Sequence, residues 1–299
     1  MPPLHIALGI LIAAAWGCNY TAIHVSLKEL PPIFLCALRF FLVSFSAIFF
    51  IKKPIVPFRM VVLYGIIMFA LQFSLMFTGI SLGMTPGLAS IMLQTQAFFT
   101  IFFALVFFKE KPSKWQIVGA LISFLGIGLA GANLEGSATF GGFCFVLSAA
   151  MGWGIGSIMV KKMGPVNQCS LIVWSSLVAW PFLLAFSFCI ESPLSHFASL
   201  PQLSAPAIGC TLYSTFISTC FGFIGWNWLI ERHPISTVAP FTLLVPVFGL
   251  FSGTVFVGEP LYLWKIGSAL LVISGLMLHH LHSKLEAIKK IFQQNKNFD

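Results

Sequence analysis

The sequence predicts an all-α integral membrane protein, with ten transmembrane helices in two inverted-topology five-helix repeats. Three observations carry this. The chain of 299 residues is 58% hydrophobic and 8% charged, against about 25% charged in soluble domains, so most of its surface must face lipid. Apolar runs long enough to cross ~30 Å of hydrocarbon recur from end to end. A short segment is also written twice. Glu110-Lys111-Pro112-Ser113-Lys114-Trp115 and Glu259-Pro260-Leu261-Tyr262-Leu263-Trp264 each follow an apolar run. They lie 149 positions apart, the offset that also separates Gly126 from Gly275.

The elements follow in order. A first span over 4–26 has no Lys or Arg before it and many similar runs after it, so it is read as a retained helix although Ala13-Ala14-Ala15 mimics a leader cleavage site. Pro31-Pro32 opens the second span, 32–51, and Lys52-Lys53-Pro54 separates it from the third, 60–81. Thr85-Pro86 opens the fourth, 86–108, and Lys111-Pro112 precedes the fifth, 115–133. The sixth, 139–160, ends before Gly164-Pro165; the seventh is 169–190 and the eighth 206–230. His233-Pro234 leads to the ninth, 237–257, where Pro240 and Pro246 should break the helix, and Glu259-Pro260 to the tenth, 262–282. Residues 1–133 and 139–282 are thus the two repeats of one structural unit, and 283–299 a basic cytoplasmic tail whose Leu285, Ile288, Ile291 and Phe292 share a face.

Charge sets the orientation. With both termini in the cytoplasm, Lys52, Lys53, Arg59, Lys109, Lys111, Lys114, Lys161, Lys162, Arg232 and the Lys residues of the tail lie inside. Only Lys28 and Lys265 fall near the outer face. Cytoplasmic loops accumulate Lys and Arg, so this asymmetry fixes the topology, and it explains the net charge of +8 without a nucleic-acid partner. Five helices per half is an odd number, so the second half crosses upside down. That arrangement places a site between the halves near the midplane.

The chain lacks the groups that most membrane chemistry requires. Its one Asp is Asp299, and every Glu falls in a loop, at a helix end or in the tail. No clustered Ser/His/Asp arrangement is present, which argues against an enzyme. Seven Cys lie in or beside apolar runs without a CxxC or Cys/His cluster, and His279, His280 and His282 lack a Cys or carboxylate to complete a metal site. No metal or cofactor is expected. His24, well inside the first span, reads as an outer-interface hydrogen-bonding group or a proton relay.

Candidate ligand-binding residues are therefore amides, aromatics and one cation. Arg39 lies within the second span, where an ionisable group is costly and functional by default, against the alternatives that it snorkels to the outer interface or braces helix ends through backbone carbonyls. Trp16, Asn19 and Tyr20 sit at i, i+3 and i+4 and share a helix face. Trp153 heads the second Trp-Gly pair, Trp153-Gly154, matching Trp16-Gly17. Gln72, Gln94, Gln96 and Asn227 are the remaining strong hydrogen-bonding groups at depth, each either lining a site or joining helices. Gln94 and Gln96 should point to opposite sides of a helix that turns about 100° per residue, so one at most should line a cavity. Thr211, Ser214, Thr215, Ser218, Gly222 and Gly225, with Gly79/Gly83, Gly152/Gly156 and Gly249/Gly253, read as close helix-packing surfaces.

Two five-helix halves, Trp16-Gly17-Cys18-Asn19 in the first helix, and the repeated Glu-x4-Trp resemble the EamA-type members of the drug/metabolite transporter superfamily over essentially the full length. The stretches 31–40, 87–100 and 239–247 are most similar to bacterial members that export O-acetylserine and cysteine. The resemblance implies a bacterial inner-membrane exporter of small metabolites working by alternating access. Its partners would be a small-molecule substrate and the lipid bilayer, and a homodimer is compatible with the sequence. A multidrug or lipophilic-cation exporter is the alternative within the superfamily.

Overall fold

The computed structural model describes residues 1–109, 113–134, 138–191, 200–233 and 235–278, with the side chains of 235 and 236 left aside. The Glu110 end of the repeated segment, the three clustered His and the basic tail lie outside the described residues. Ten apolar helices follow one another: α1 (Pro3–Ser26), α2 (Pro32–Ala47), α3 (Phe58–Ser81), α4 (Pro86–Phe108), α5 (Lys114–Ala132), α6 (Phe140–Met163), α7 (Gln168–Ile190), α8 (Ala205–Arg232), α9 (Ala239–Val257) and α10 (Leu263–Leu278). Among the described residues, eight are long and apolar enough to cross a membrane; α2 and the described part of α10 are shorter.

Backbone irregularities occur at equivalent positions of the two halves. α3 carries a π-helical stretch over Gly65–Leu71. Shifted by 149 residues, that stretch falls inside the π-helical Tyr213–Phe221 of α8. α4 stops at Leu93 and restarts at Gln96, through i→i−3 bonds from Gln94 to Ile91 (3.2 Å) and from Thr95 to Met92 (3.1 Å). The Thr95 hydroxyl donates to the Met92 carbonyl at 2.8 Å, a local competitor to the helical ladder. The same shift lands in α9 where a 3-10 turn, Ala239–Leu244, gives way to regular helix at Val245. Pro240 and Pro246 stand in the first turns of these two pieces, as their lack of an N–H requires.

α1 packs against α8 and α9, α2 against α7, and α6 against α3 and α4. Glycines permit the tightest crossings. A side chain on Gly17 would strike Phe248 and the Val245 carbonyl, and one on Gly249 would strike Ser90. Outside this core, α5 and α10 cross with a two-fold signature. Gly126 abuts Ser268 and Gly275 abuts Gly119, two contacts that exchange under the 149-residue shift. Ser123 donates to the Val272 carbonyl (3.1 Å) and Ser268 to the Gly126 carbonyl (2.8 Å) across the same crossing.

Two expectations need correction. Gly83 is no packing surface: it turns the chain after α3 with φ +104°, while Gly79 alone meets α6 at Val146 and Gly142. Lys265 is not an interfacial cation either. It is fully buried, its Nζ 2.9 Å from Glu259 Oε1 and 3.0 Å from the Pro260 carbonyl, so a charge assigned to the outer surface is neutralised inside the protein.

Candidate functional site

The irregular segments of α4, α8 and α9 converge on a central cavity of about 260 Å³. Non-helical backbone at membrane depth survives where it lines such a space, because its freed polar groups find partners there. Seven of the nine candidates line it: Trp16, Asn19, Tyr20, Arg39, Gln94, Gln96 and Trp153. The interruption at Gln94–Thr95 brings both Gln94 and Gln96 to the cavity, against the expectation from a uniform helix. Gln94 Nε2 donates to the Thr242 carbonyl at 2.6 Å, joining the irregular turns of α4 and α9. Gln96 Oε1 is buried without a hydrogen-bond partner among the described residues.

Arg39 is 2% exposed and carries the one formal charge in the lining. Its Nε and Nη2 both donate to Thr219 Oγ1, at 3.1 and 2.7 Å, and Nη1 has no partner among the described residues. The guanidinium lies 4.8 Å from the centre of the Phe73 ring. Thr219 in turn donates to the Ser214 carbonyl five residues earlier (2.9 Å), a spacing that the π-helical winding of α8 provides. Ser214 Oγ donates to Asn19 Oδ1 at 2.7 Å. Arg39, Thr219, Ser214 and Asn19 therefore form one polar chain from α2 through α8 to α1. One of the two acceptor positions of Asn19 Oδ1 is engaged inside this chain.

The aromatic wall is built from both halves. Trp16 Nε1 donates to the Ser218 carbonyl (3.0 Å), and its ring lies 5.3 Å from that of Trp226 and 5.7 Å from that of Phe223. Phe73, Phe223, Trp226 and Thr242 belong to the lining and were missed in the sequence, where nothing separates them from lipid-facing apolar residues. Two candidates lie elsewhere. Gln72 is fully buried beside Gly152 of α6 with both amide atoms unpartnered among the described residues. Asn227 Nδ2 donates to Cys169 Sγ at 3.7 Å, joining α8 to α7.

A second cavity of about 270 Å³ shares Gln94, Gln96, Trp153 and Thr242 with the first and continues past Thr100, Ile101 and Ser157. These positions run along α4 and α6 toward the face that carries Lys161 and Lys162.

Two halves with matching defects around one shared cavity are the arrangement of a carrier. The EamA-like transporter family model matches residues 4–132 and again 140–280. The chain belongs to the EamA-like transporter family. As an EamA-like protein it is a multi-pass membrane transporter of a small molecule rather than an enzyme. It is 37% identical over 278 residues to a "Probable amino-acid metabolite efflux pump" of Salmonella typhimurium, covering 91% of this chain and 93% of the relative. A protein of the same name in Escherichia coli is 35% identical over 278 residues, with the same coverage. A solved crystal structure matches the EamA-like fold with a TM-score of 0.65 at 16% identity, covering 95% of this chain and 99% of the other.

Proposed function

We propose that the protein exports small amino-acid metabolites, those of the cysteine pathway such as O-acetylserine and cysteine first among them, by alternating access. The observation that carries this is Arg39, a buried guanidinium at an aromatic and amide-lined cavity, its Nη1 without a partner among the described residues. Nη1 is a charge-assisted donor for a carboxylate. The Gln96 Oε1 acceptor and the Trp and Tyr faces suit an ammonium. A single Arg is too little charge for a phosphate ester or nucleotide sugar. The cavity of about 260 Å³ lies at the small end of the ~300–1,000 Å³ range of drug-sized sites. The names of the two bacterial relatives support the same substrate class. We read the location as the bacterial inner membrane with both termini cytoplasmic.

The aromatic lining favours one alternative, a multidrug or lipophilic-cation exporter. Against it, the guanidinium would repel a cation and no carboxylate lines the cavity to attract one. Efflux of labelled O-acetylserine, cysteine, threonine and a lipophilic cationic dye from proteoliposomes, with and without a pH gradient, decides between them. Selective amino-acid efflux is expected; efflux of the dye alone would overturn the reading.

A further inference from the structure

Three carboxylates play no part in the cavity, yet all three do the same thing. Ten passes place Glu29 (between α1 and α2), Glu191 (after α7) and Glu259 (between α9 and α10) on the face opposite Lys161 and Lys162. Each accepts hydrogen bonds at the start of a helix in the other half. Glu191 takes the Ile33 and Phe34 N–H groups of α2 at 2.8 and 3.0 Å. Glu259 takes the Gly87 N–H of α4 at 2.8 Å. Glu29 takes the N–H (2.8 Å) and hydroxyl of Ser204, the residue that caps α8.

The first turn of a helix has unpaired N–H groups and the positive end of its dipole, so a carboxylate there is held by charge as well as geometry. Normally the residue before the helix supplies the cap. Here Pro31 and Thr85 supply none to α2 and α4, and the opposite half does so instead. The other face shows the contrast: α5 starts with a capping box of Ser113 and Gln116, and α7 is capped by its own Asn167. On one face α2 and α4 are therefore capped from the other half by Glu191 and Glu259, and Glu29 holds the capping residue of α8, whereas α5 and α7 on the other face are capped by their own residues. The second cavity extends toward that other face.

We infer that Glu29, Glu191 and Glu259 form the gate of the acidic face, three cross-half ties that must part together before the central cavity can open to that side. The device acts on the conformational cycle, not on the substrate, so it stands independently of the substrate reading. Alternating access requires two states of comparable free energy, and interactions made in only one of them set the balance. Removing a tie therefore shifts the population toward the state open on the acidic face and away from the state open on the basic face.

Cys36, one turn inside α2 and fully buried beneath the Glu191 tie, is a native reporter. Ser157→Cys, in the cavity arm toward the basic face, is its counterpart. A membrane-impermeant maleimide is applied to each side of the membrane in turn, without substrate, and modification is followed by peptide-resolved mass spectrometry. The proteins compared are the parent, Glu191→Gln, Glu29→Gln and the pair of them. An amide still accepts an N–H but loses the charge, so loss of a charge-assisted bond should raise Cys36 labelling about tenfold per tie. Labelling at Ser157→Cys should fall in parallel. Unchanged Cys36 labelling in folded variants overturns the gate, and so does a rise at both reporters, which would mean general loosening. Should Glu191→Gln fail to fold, Glu29→Gln, in a partly exposed loop, decides the outcome alone.

Discussion

Lys265 Nζ and Glu259 Oε1 meet at 2.9 Å with neither side chain more than 2% exposed, and the free oxygen of the same carboxylate receives the Gly87 N–H. One carboxylate thus neutralises the cation of its own hairpin and anchors a helix of the other half. Breaking a buried pair on one side costs about 3–5 kcal/mol, while replacing both partners by apolar groups can be nearly neutral. Lys265→Met should therefore lower the thermal midpoint in detergent sharply, and Glu259→Gln with Lys265→Met should recover most of the loss. A double variant no more stable than Lys265→Met would show that the pair itself contributes little.

The guanidinium of Arg39 rests on the Thr219 hydroxyl, its one hydrogen-bond partner among the described residues. Thr219→Val keeps the shape and removes that support, leaving Nε and Nη2 buried without an acceptor. Half-saturating concentrations for carboxylate substrates should rise about tenfold or more, as expected for loss of a hydrogen bond to a charged group. Thr219→Ser should rescue transport, and Arg39→Lys should not, since it lacks the planar fork. Normal transport by a folded Arg39→Ala protein would remove the residue from the site.

Glycine substitutions separate packing from propensity. Gly275→Ala drives a methyl group into Gly119 and Ser123 and should cost about 1–3 kcal/mol. Gly128 has open space on the same kind of helix, so Gly128→Ala should gain roughly 0.5–1 kcal/mol. Thermal unfolding of both in one detergent checks the sign of each.

Acid should undo one tie before the fold. The Ser204 hydroxyl and N–H hold Glu29 below its ordinary value of 4.5. The tie is then complete above 4.5 and lost only as pH falls through the lowered value. The thermal midpoint of the parent should exceed that of Glu29→Gln at neutral pH and converge with it in acid below 4.5. Convergence already near neutrality would contradict the assignment of the tie to that carboxylate.

Much of the architecture was legible because lipid imposes simple demands. Apolar runs separated by Pro, Gly and charge located all ten helices, and the cost of a buried cation singled out Arg39. Trp16, Asn19 and Tyr20 reached the cavity because i, i+3 and i+4 define a face on any regular helix. The interruption at Gln94–Thr95 was hidden, since no Pro or Gly marks it and the defect depends on a threonine hydroxyl returning to the backbone. Thr219 was lost among the Ser and Thr residues of α8, where only π-helical winding distinguishes it. Glu259 looked like a loop carboxylate and Lys265 like a cation near the outer face, because six residues of separation across Pro260 do not reveal burial.

The matched backbone defects have a consequence for the passenger. The walls around it repeat, but what they present does not: α2 brings Arg39, whereas α7, its counterpart, contains no basic residue, and Asn19 of α1 is answered by Gly156 of α6. A cargo with unlike ends thus meets a frame with twofold form and a single polarity. Under the proposed alternating access it is carried without somersaulting, and the end proposed to meet the guanidinium keeps the same heading throughout.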